Sequence, residues 1–306
     1  MFYDLNIALP DAAGKPGGRL SSAEWARVAQ AVERAREFGY SVVALNQTVQ
    51  GRLTAEHLAV WRTAPAFKDA DLGWDAATGA RAGAGAGAGA GAADRVRRGR
   101  IRVLRRVTAV VTDAAQGHSL ASAGGATPAA EYDVVAVRPA TEKILAAACS
   151  GVWDVDVVAL DMGQRWGFVA KHKLVGQALA QGLALEISYR PALADSATRQ
   201  QWVCNAAGLV RATRGRGLVW TSAARQALDL RTPYDVANLG EALQLNGDLS
   251  KRALSANARA VLLHGFTRAG TLRAVMSVRA PRPADADAAD GAADPAGPAP
   301  KKMRAD

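Results

Sequence analysis

The chain has 306 residues, 49% of them apolar, a formal net charge of +10 at pH 7 and two cysteines. That is enough apolar mass for one large core or two modest ones, so a globular protein is expected. No run reaches the roughly 18 apolar residues of a membrane span, and the opening MFYDLNIALPDAAGK has no basic-then-apolar leader, which excludes membrane and exported classes and gives the expectation of a soluble protein.

The first element in chain order is a strand, FYDLNI (Phe2 to Ile7). A helix follows: Ser21 and Glu24 spell a capping box, Trp25, Val28, Ala29 and Val32 recur at helical spacing, and Gly39 supplies a left-handed stop. The next strand is SVVALN (Ser41 to Asn46). From Gly79 to Ala93 the chain reads GARAGAGAGAGAGAA, which has almost no side-chain mass to offset ordering entropy and is expected to be a disordered insertion. Seven arginines crowd the run RVRRGRIRVLRR (Arg95 to Arg106) just ahead of the strand VTAVV (Val107 to Val111).

Four more strands are VVAVR (Val134 to Arg138), VVALD (Val157 to Asp161), ALEIS (Ala184 to Ser188) and GLVWT (Gly217 to Thr221). Helices separate them: Lys171 to Gln181, stopped by Gly182, and a second carrying Trp202, Ala206, Leu209 and Val210 that ends near Gly215. Thr232 then caps a helix with Pro233 at its first position, where a missing N–H costs nothing, and Asp235 in the positive first turn. The run AVLLH (Ala260 to His264) is taken as an eighth strand. From Arg279 on the chain is Ala, Pro, Asp and Gly, an expected disordered tail whose five cations are cancelled by five aspartates. The positive excess therefore belongs to residues 1–278, and it points to a polyanionic partner.

Short apolar runs alternating with amphipathic stretches are the pattern of βα units on a parallel sheet, and eight such runs predict an α/β fold, a closed (β/α) barrel, with a doubly wound open sheet as the alternative. One barrel domain over residues 1–278, with the insertion at 79–93 and the tail at 279–306, is expected. Cys149 and Cys204 match neither a CxxC metal pair nor a disulfide framework, so free thiols are expected.

The opening MFYDLNI, the runs LEISYRPAL (Leu185 to Leu193) and NAAGLVRATRGRG (Asn205 to Gly217), the stretch LRTPYDVANLG (Leu230 to Gly240) and the pattern SANARAVLLHGFTR (Ser255 to Arg268) together resemble the barrel-type protein subunit of ribonuclease P and ribonuclease MRP. The resemblance weakens from Thr54 to Arg100 and is absent from the tail. It implies a TIM-like barrel related to the polymerase and histidinol phosphatase fold. It also implies assembly with a ribonuclease P or MRP RNA, a small α/β protein subunit and other proteins of those particles, in the nucleus and nucleolus, with no membrane partner, for work on precursor tRNA or ribosomal RNA.

Related barrels bind two or three metals through histidines and carboxylates. Here His57, His118, His172 and His264 are isolated, and Asp4 and Asn6 stand on the first strand where an H-x-H would be presented. Asp4, Asn6, Arg138, Asp161 and Glu186 all fall in or at the ends of strands and form a candidate polar network at the barrel rim, with Arg138 as the cation that neutralises the carboxylates. No catalytic residue, metal ligand or cofactor site is assigned, because no GxxxxGK, GxSxG or strand-linked GxGxxG is present.

For RNA the candidates are Arg211, Arg214 and Arg216 at a helix end, Arg231 ahead of the capped helix, and Arg97, Arg98 and Arg100 in the arginine run. Lys171 and Lys173 join them, because cations at a helix start call for a phosphate or carboxylate. For Arg231 the loop-clamping use of a planar guanidinium is an equal reading. The expected function is a non-catalytic, RNA-binding subunit; a metal-dependent phosphoesterase and a protein-only scaffold are the alternatives.

Overall fold

In the computed structural model, residues 1–72, 100–121 and 127–270 are described; the Gly-Ala insertion and the tail lie outside them, as do Arg97 and Arg98. The elements run β1 (Phe2–Ala8), α1 (Ser22–Glu37), β2 (Tyr40–Gln50), β3 (Ala70–Leu72), β4 (Ile101–Val111), α2 (Ala114–Gly117), β5 (Val134–Pro139), α3 (Glu142–Cys149), β6 (Val157–Ala159), α4 (His172–Ala180), β7 (Ala184–Ser188), α5 (Ser196–Thr213), β8 (Leu218–Thr221), α6 (Pro233–Ala242), α7 (Gly247–Ala253) and α8 (Ala256–Gly270).

The strands of the sheet pair in parallel in the order β1-β2-β4-β5-β6-β7-β8, with the short β3 added beside β4. Ala8 N donates to Ala224 O at 2.8 Å just past β8, and this bridge brings the last strand round to the first. The result is a nearly closed α/β barrel of the TIM-like kind. Both faces of such a sheet are covered, which is why its strands read as continuous apolar runs: Val135 and Val137 pack outward under the helices while Val134 and Ala136 face the lumen.

The local signals act as their chemistry dictates. Ser21 Oγ accepts from Glu24 N at 3.3 Å and Glu24 Oε2 accepts from Ser21 N at 2.8 Å, which closes the capping box of α1. Thr232 caps α6 through Asp235 N, with Pro233 at the first position.

Two expectations need correction. The run Ala260 to His264 is not a strand but the middle of α8; Ala258, Val261 and Leu262 recur at helical spacing and face the lumen at the amino end of the barrel. A five-residue apolar window cannot separate the two periods. Gly265 lets this helix approach, since a Cβ there would lie 2.2 Å from Asp133 O. The second correction concerns β4, which begins at Ile101 and not Val107, so half of the arginine run lies inside the sheet.

Candidate functional site

The lumen holds one polar layer between its apolar floor and its mouth. Alternation along β4 turns Leu104, Arg106 and Thr108 inward, and β2 brings Asn46 opposite Arg106. Arg106 is fully buried and Glu186, on β7, is 2% exposed. Both carboxylate oxygens of Glu186 are held by the Arg106 fork, with Nη1 at 2.9 Å from Oε1 and Nη2 on Oε2. Oε1 also accepts from Asn6 Nδ2 at 2.7 Å and Thr221 Oγ1 at 2.5 Å. Asn46 Nδ2 donates to Asn6 Oδ1 and Thr108 Oγ1 donates to Asn46 Oδ1, each at 2.8 Å. Burial alone would raise the pKa of Glu186, but the charge and hydrogen bonds of Arg106 outweigh it and hold the carboxyl below its ordinary value.

Asp4 lies beside this layer. Its Oδ1 accepts from Ser222 N at 3.0 Å and Asn6 N at 3.2 Å, while its Oδ2 is buried without a partner. Burial pushes its pKa up to about 6, with a smaller upward contribution from Glu186.

The structure therefore brings Asp4, Asn6 and Glu186 together and leaves Arg138 and Asp161 out. Arg138 sits at the carboxyl mouth of β5, half-buried, with no hydrogen bond to any of the others. Asp161 organises the loop after β6 by accepting from Gly163 N at 3.0 Å. The neutralising cation is Arg106, which the sequence pattern places at the end of the arginine run, ahead of the strand. Once β4 is extended back to Ile101, Arg106 falls on the inner face and reaches Glu186, whereas Arg138, level with Val110, lies two inward positions nearer the mouth than Arg106. Such an arrangement does not fit the metals of related barrels, because the guanidinium holds both oxygens of Glu186 and Asn6 presents an N–H donor toward it. Its chemistry is that of a lock joining β1, β2, β4, β7 and β8.

A second buried ionic cluster lies at the amino end, and sequence reading missed it. Asp156, fully buried ahead of β6, accepts from Val135 N at 2.7 Å, His264 Nδ1 at 2.7 Å and Arg268 Nε at 3.1 Å. Arg268 Nη1 and Nη2 donate to Ala129 O and Tyr132 O, each at 3.0 Å. Burial would raise the pKa of Asp156, but Arg268 and His264 hold it low; the hydrogen bond to Asp156 raises that of His264. The i,i+4 spacing of His264 and Arg268 was the available signal, obscured by reading the segment as a strand.

Among the surface candidates, Arg211, Arg214 and Arg216 are exposed at the turn from α5 into β8, at the amino end of the barrel, and none forms an ion pair with another described residue. Lys173 is exposed, and Lys171 is paired with Glu142 at 2.7 Å. Arg231 is exposed but its Nη1 donates to Leu228 O and Leu230 O, each at 2.8 Å, while its backbone carbonyl accepts from Tyr40 Oη at 3.0 Å. That is a loop clamp. Arg100 is tied to Asp71 at 2.8 Å and to Ala70 O at 2.6 Å, which fastens β3 to the start of β4. The arginine run thus divides four ways: Arg105 and Arg106 are fully buried, Arg102 is half-buried on β4, Arg100 is engaged with β3, and Arg95, Arg97 and Arg98 lie outside the described residues.

Comparison with known proteins gives concordant findings. The family model of RNase P subunit p30 matches residues 1–269. A mouse protein named ribonuclease P protein subunit p30 is 38% identical over 187 residues, which cover 61% of this chain and 69% of that one. A fission yeast protein named probable ribonuclease P protein subunit 3 is 34% identical over 178 residues, covering 58% and 73%. A chain in the cryo-EM structure of archaeal ribonuclease P with mature tRNA aligns over 92% of this chain and 99% of its own, with a TM-score of 0.54 at 13% identity, a likeness of fold.

Proposed function

The chain belongs to the RNase P subunit p30 family, and from that premise we propose that it is a non-catalytic protein subunit of ribonuclease P or ribonuclease MRP. The match over residues 1–269 carries this reading, because it spans the whole barrel. The lumen supports the non-catalytic part: beside Asp4, a single carboxylate enclosed at 1% exposure, the second carboxylate Glu186 is fixed in the Arg106 fork with its oxygens already accepting hydrogen bonds. A general base or metal ligand needs a free lone pair, and freeing one would strip a buried guanidinium of its partner. The exposed, unneutralised Arg211, Arg214 and Arg216 support contact with RNA phosphates, with Lys173 a weaker candidate. In this reading the particle's other protein subunits, a small α/β protein among them, assemble with the barrel in the nucleus and nucleolus, and the RNA performs the hydrolysis of precursor tRNA or ribosomal RNA.

Sequencing the RNA that copurifies with the chain tests the proposal; ribonuclease P or MRP RNA is expected, and its absence would overturn the reading. The purified protein, freed of RNA and supplied with Mg²⁺, Mn²⁺ or Zn²⁺, is expected to cleave neither a precursor tRNA nor a simple phosphomonoester. Turnover that copurifies with the protein and disappears in a folded Glu186→Gln variant would favour a phosphoesterase instead.

A further inference from the structure

A groove of about 540 Å³ runs along the amino end of the barrel between α4, the α5–β8 turn and α8. Its volume lies in the range of about 300–1,000 Å³ usual for sites that take small organic groups. Leu179, Leu183 and Val261 give it apolar walls, and Arg214 and Arg216 stand on its edge. Both arginines are exposed and neither is ion-paired among the described residues, so the edge carries two positive charges. Arg214 has φ 53°, a left-handed conformation that glycine adopts without steric cost, so its side chain is held at the edge by a backbone that disfavours it.

Polar groups at the groove have one hydrogen-bonding position occupied and another available. Asn257 Nδ2 donates to Leu218 O at 2.8 Å, which leaves Oδ1 as an acceptor. His172 Nδ1 is held by Ala212 O at 2.7 Å, which leaves Nε2. An apolar slot, a polar edge and a pair of cations outside it match a nucleotide: a flat base with hydrogen-bonding edges, flanked by phosphates. A duplex would reach the arginines with its backbone and leave the slot empty.

We propose that this groove takes one unpaired base of a bound RNA strand, with the neighbouring phosphates on Arg214 and Arg216. The inference rests on the reading of the chain as an RNA-binding subunit and specifies which form of RNA this face receives.

The test uses the full chain and a fluorescent ten-nucleotide oligouridylate, compared with an RNA duplex of the same length, by anisotropy over a salt series. Gly176→Leu combined with Ala260→Leu fills the slot; both positions are exposed and a Cβ at Gly176 meets nothing within 4 Å, so neither backbone is disturbed. This variant is expected to lose about tenfold in single-strand affinity, the scale of one buried base, with an unchanged salt slope and unchanged duplex binding. Arg214→Gly with Arg216→Ser, which keeps the left-handed backbone relaxed, is expected to flatten the single-strand salt slope by roughly 1.4 units for two lost phosphate contacts. Unchanged single-strand binding in the slot-filled variant, or displacement of the probe by polyglutamate but not by uridine monophosphate, would overturn the groove proposal. A wild-type chain that binds neither probe but still copurifies with ribonuclease P RNA would also overturn it while leaving the subunit reading intact. A chain with which no such RNA copurifies loses the reading itself.

Discussion

Arg106 and Arg138 both point into the barrel from neighbouring strands, yet only Arg106 has a buried carboxylate to hold. Removing it leaves Glu186 charged and unpaired at 2% exposure, so Arg106→Ala is expected to cost about 3–5 kcal/mol of stability. Arg138 makes no hydrogen bond to another described residue, and Arg138→Ala is expected to stay within about 1 kcal/mol of the parent. Denaturant unfolding of the two variants separates these roles, and equal losses would contradict the assignment. The sequence showed that a cation had to accompany Glu186, because a carboxylate on a central strand demands one. It did not show which, since choosing Arg106 requires knowing that β4 starts at Ile101 and that its even-numbered side chains face the lumen. Asp4 offers a second residue-scale test. Its folded pKa of about 6 stands above the ordinary 3.8, so between those values the folded chain binds the extra proton and stability falls as pH rises. Above pH 6 the buried charge costs about 3 kcal/mol. Asp4→Asn is therefore expected to be at least as stable as the parent at pH 7.5, with the difference between the two vanishing toward pH 4. A parent that outperforms the variant at pH 7.5 would show that the charged carboxylate is itself stabilising.

Helix α8 does for the amino end of the barrel what the Arg106–Glu186 layer does for its middle. Its apolar face closes the lumen while His264 and Arg268 reach past the sheet to Asp156. The two shifts give this dock a defined pH window. His264 has a raised pKa, so its contribution is complete below the ordinary 6.5 and is lost as pH rises through the folded value. Asp156 has a lowered pKa, so its contribution is complete above the ordinary 3.8 and is lost as pH falls through the folded value. Docking is thus strongest between about pH 4 and 6.5. Hydrogen exchange should show α8 amides losing protection relative to β5 as pH rises above 6.5, once intrinsic rates are removed. His264→Gln should abolish that loss, and a loss that persists in the variant would assign it elsewhere. Helices with caps or glycine stops were legible, as α1 and α6 show. This one was not: AVLLH has equal claims to either period until Asn257, His264 and Arg268 are given partners from the far side of the sheet.

At the scale of the molecule, the barrel order was legible because seven of the eight expected runs are strands in the expected sequence. What escaped was β3 and the start of β4, where the Gly-Ala insertion interrupts the pattern. β3 and β4 are parallel neighbours, and joining parallel neighbours takes a dozen or more residues. Deleting residues 79–93 leaves a connection of about that length, so the deletion is expected to keep the fold and shift the melting midpoint by less than about 5 °C. A larger fall would mean that the run contributes packing. The two tight ionic layers each pair one arginine with one carboxylate, Arg106 with Glu186 and Arg268 with Asp156, so they cancel and the positive excess of the chain is carried by other residues.

The seal formed by α8 also has a consequence in time. Tyr3 N in the first strand donates to Leu254 O beside that helix, and Asn257 holds Leu218 O at the start of the last strand. A chain emerging from the ribosome can therefore not cover the amino end of its lumen until nearly all of its described length has been made. Partners separated by some 250 positions make chain closure slow, and the apolar lumen is exposed to chaperones meanwhile. Assembly into a larger particle then has a natural checkpoint: the arginine edge beside α8 is complete only after the barrel is sealed.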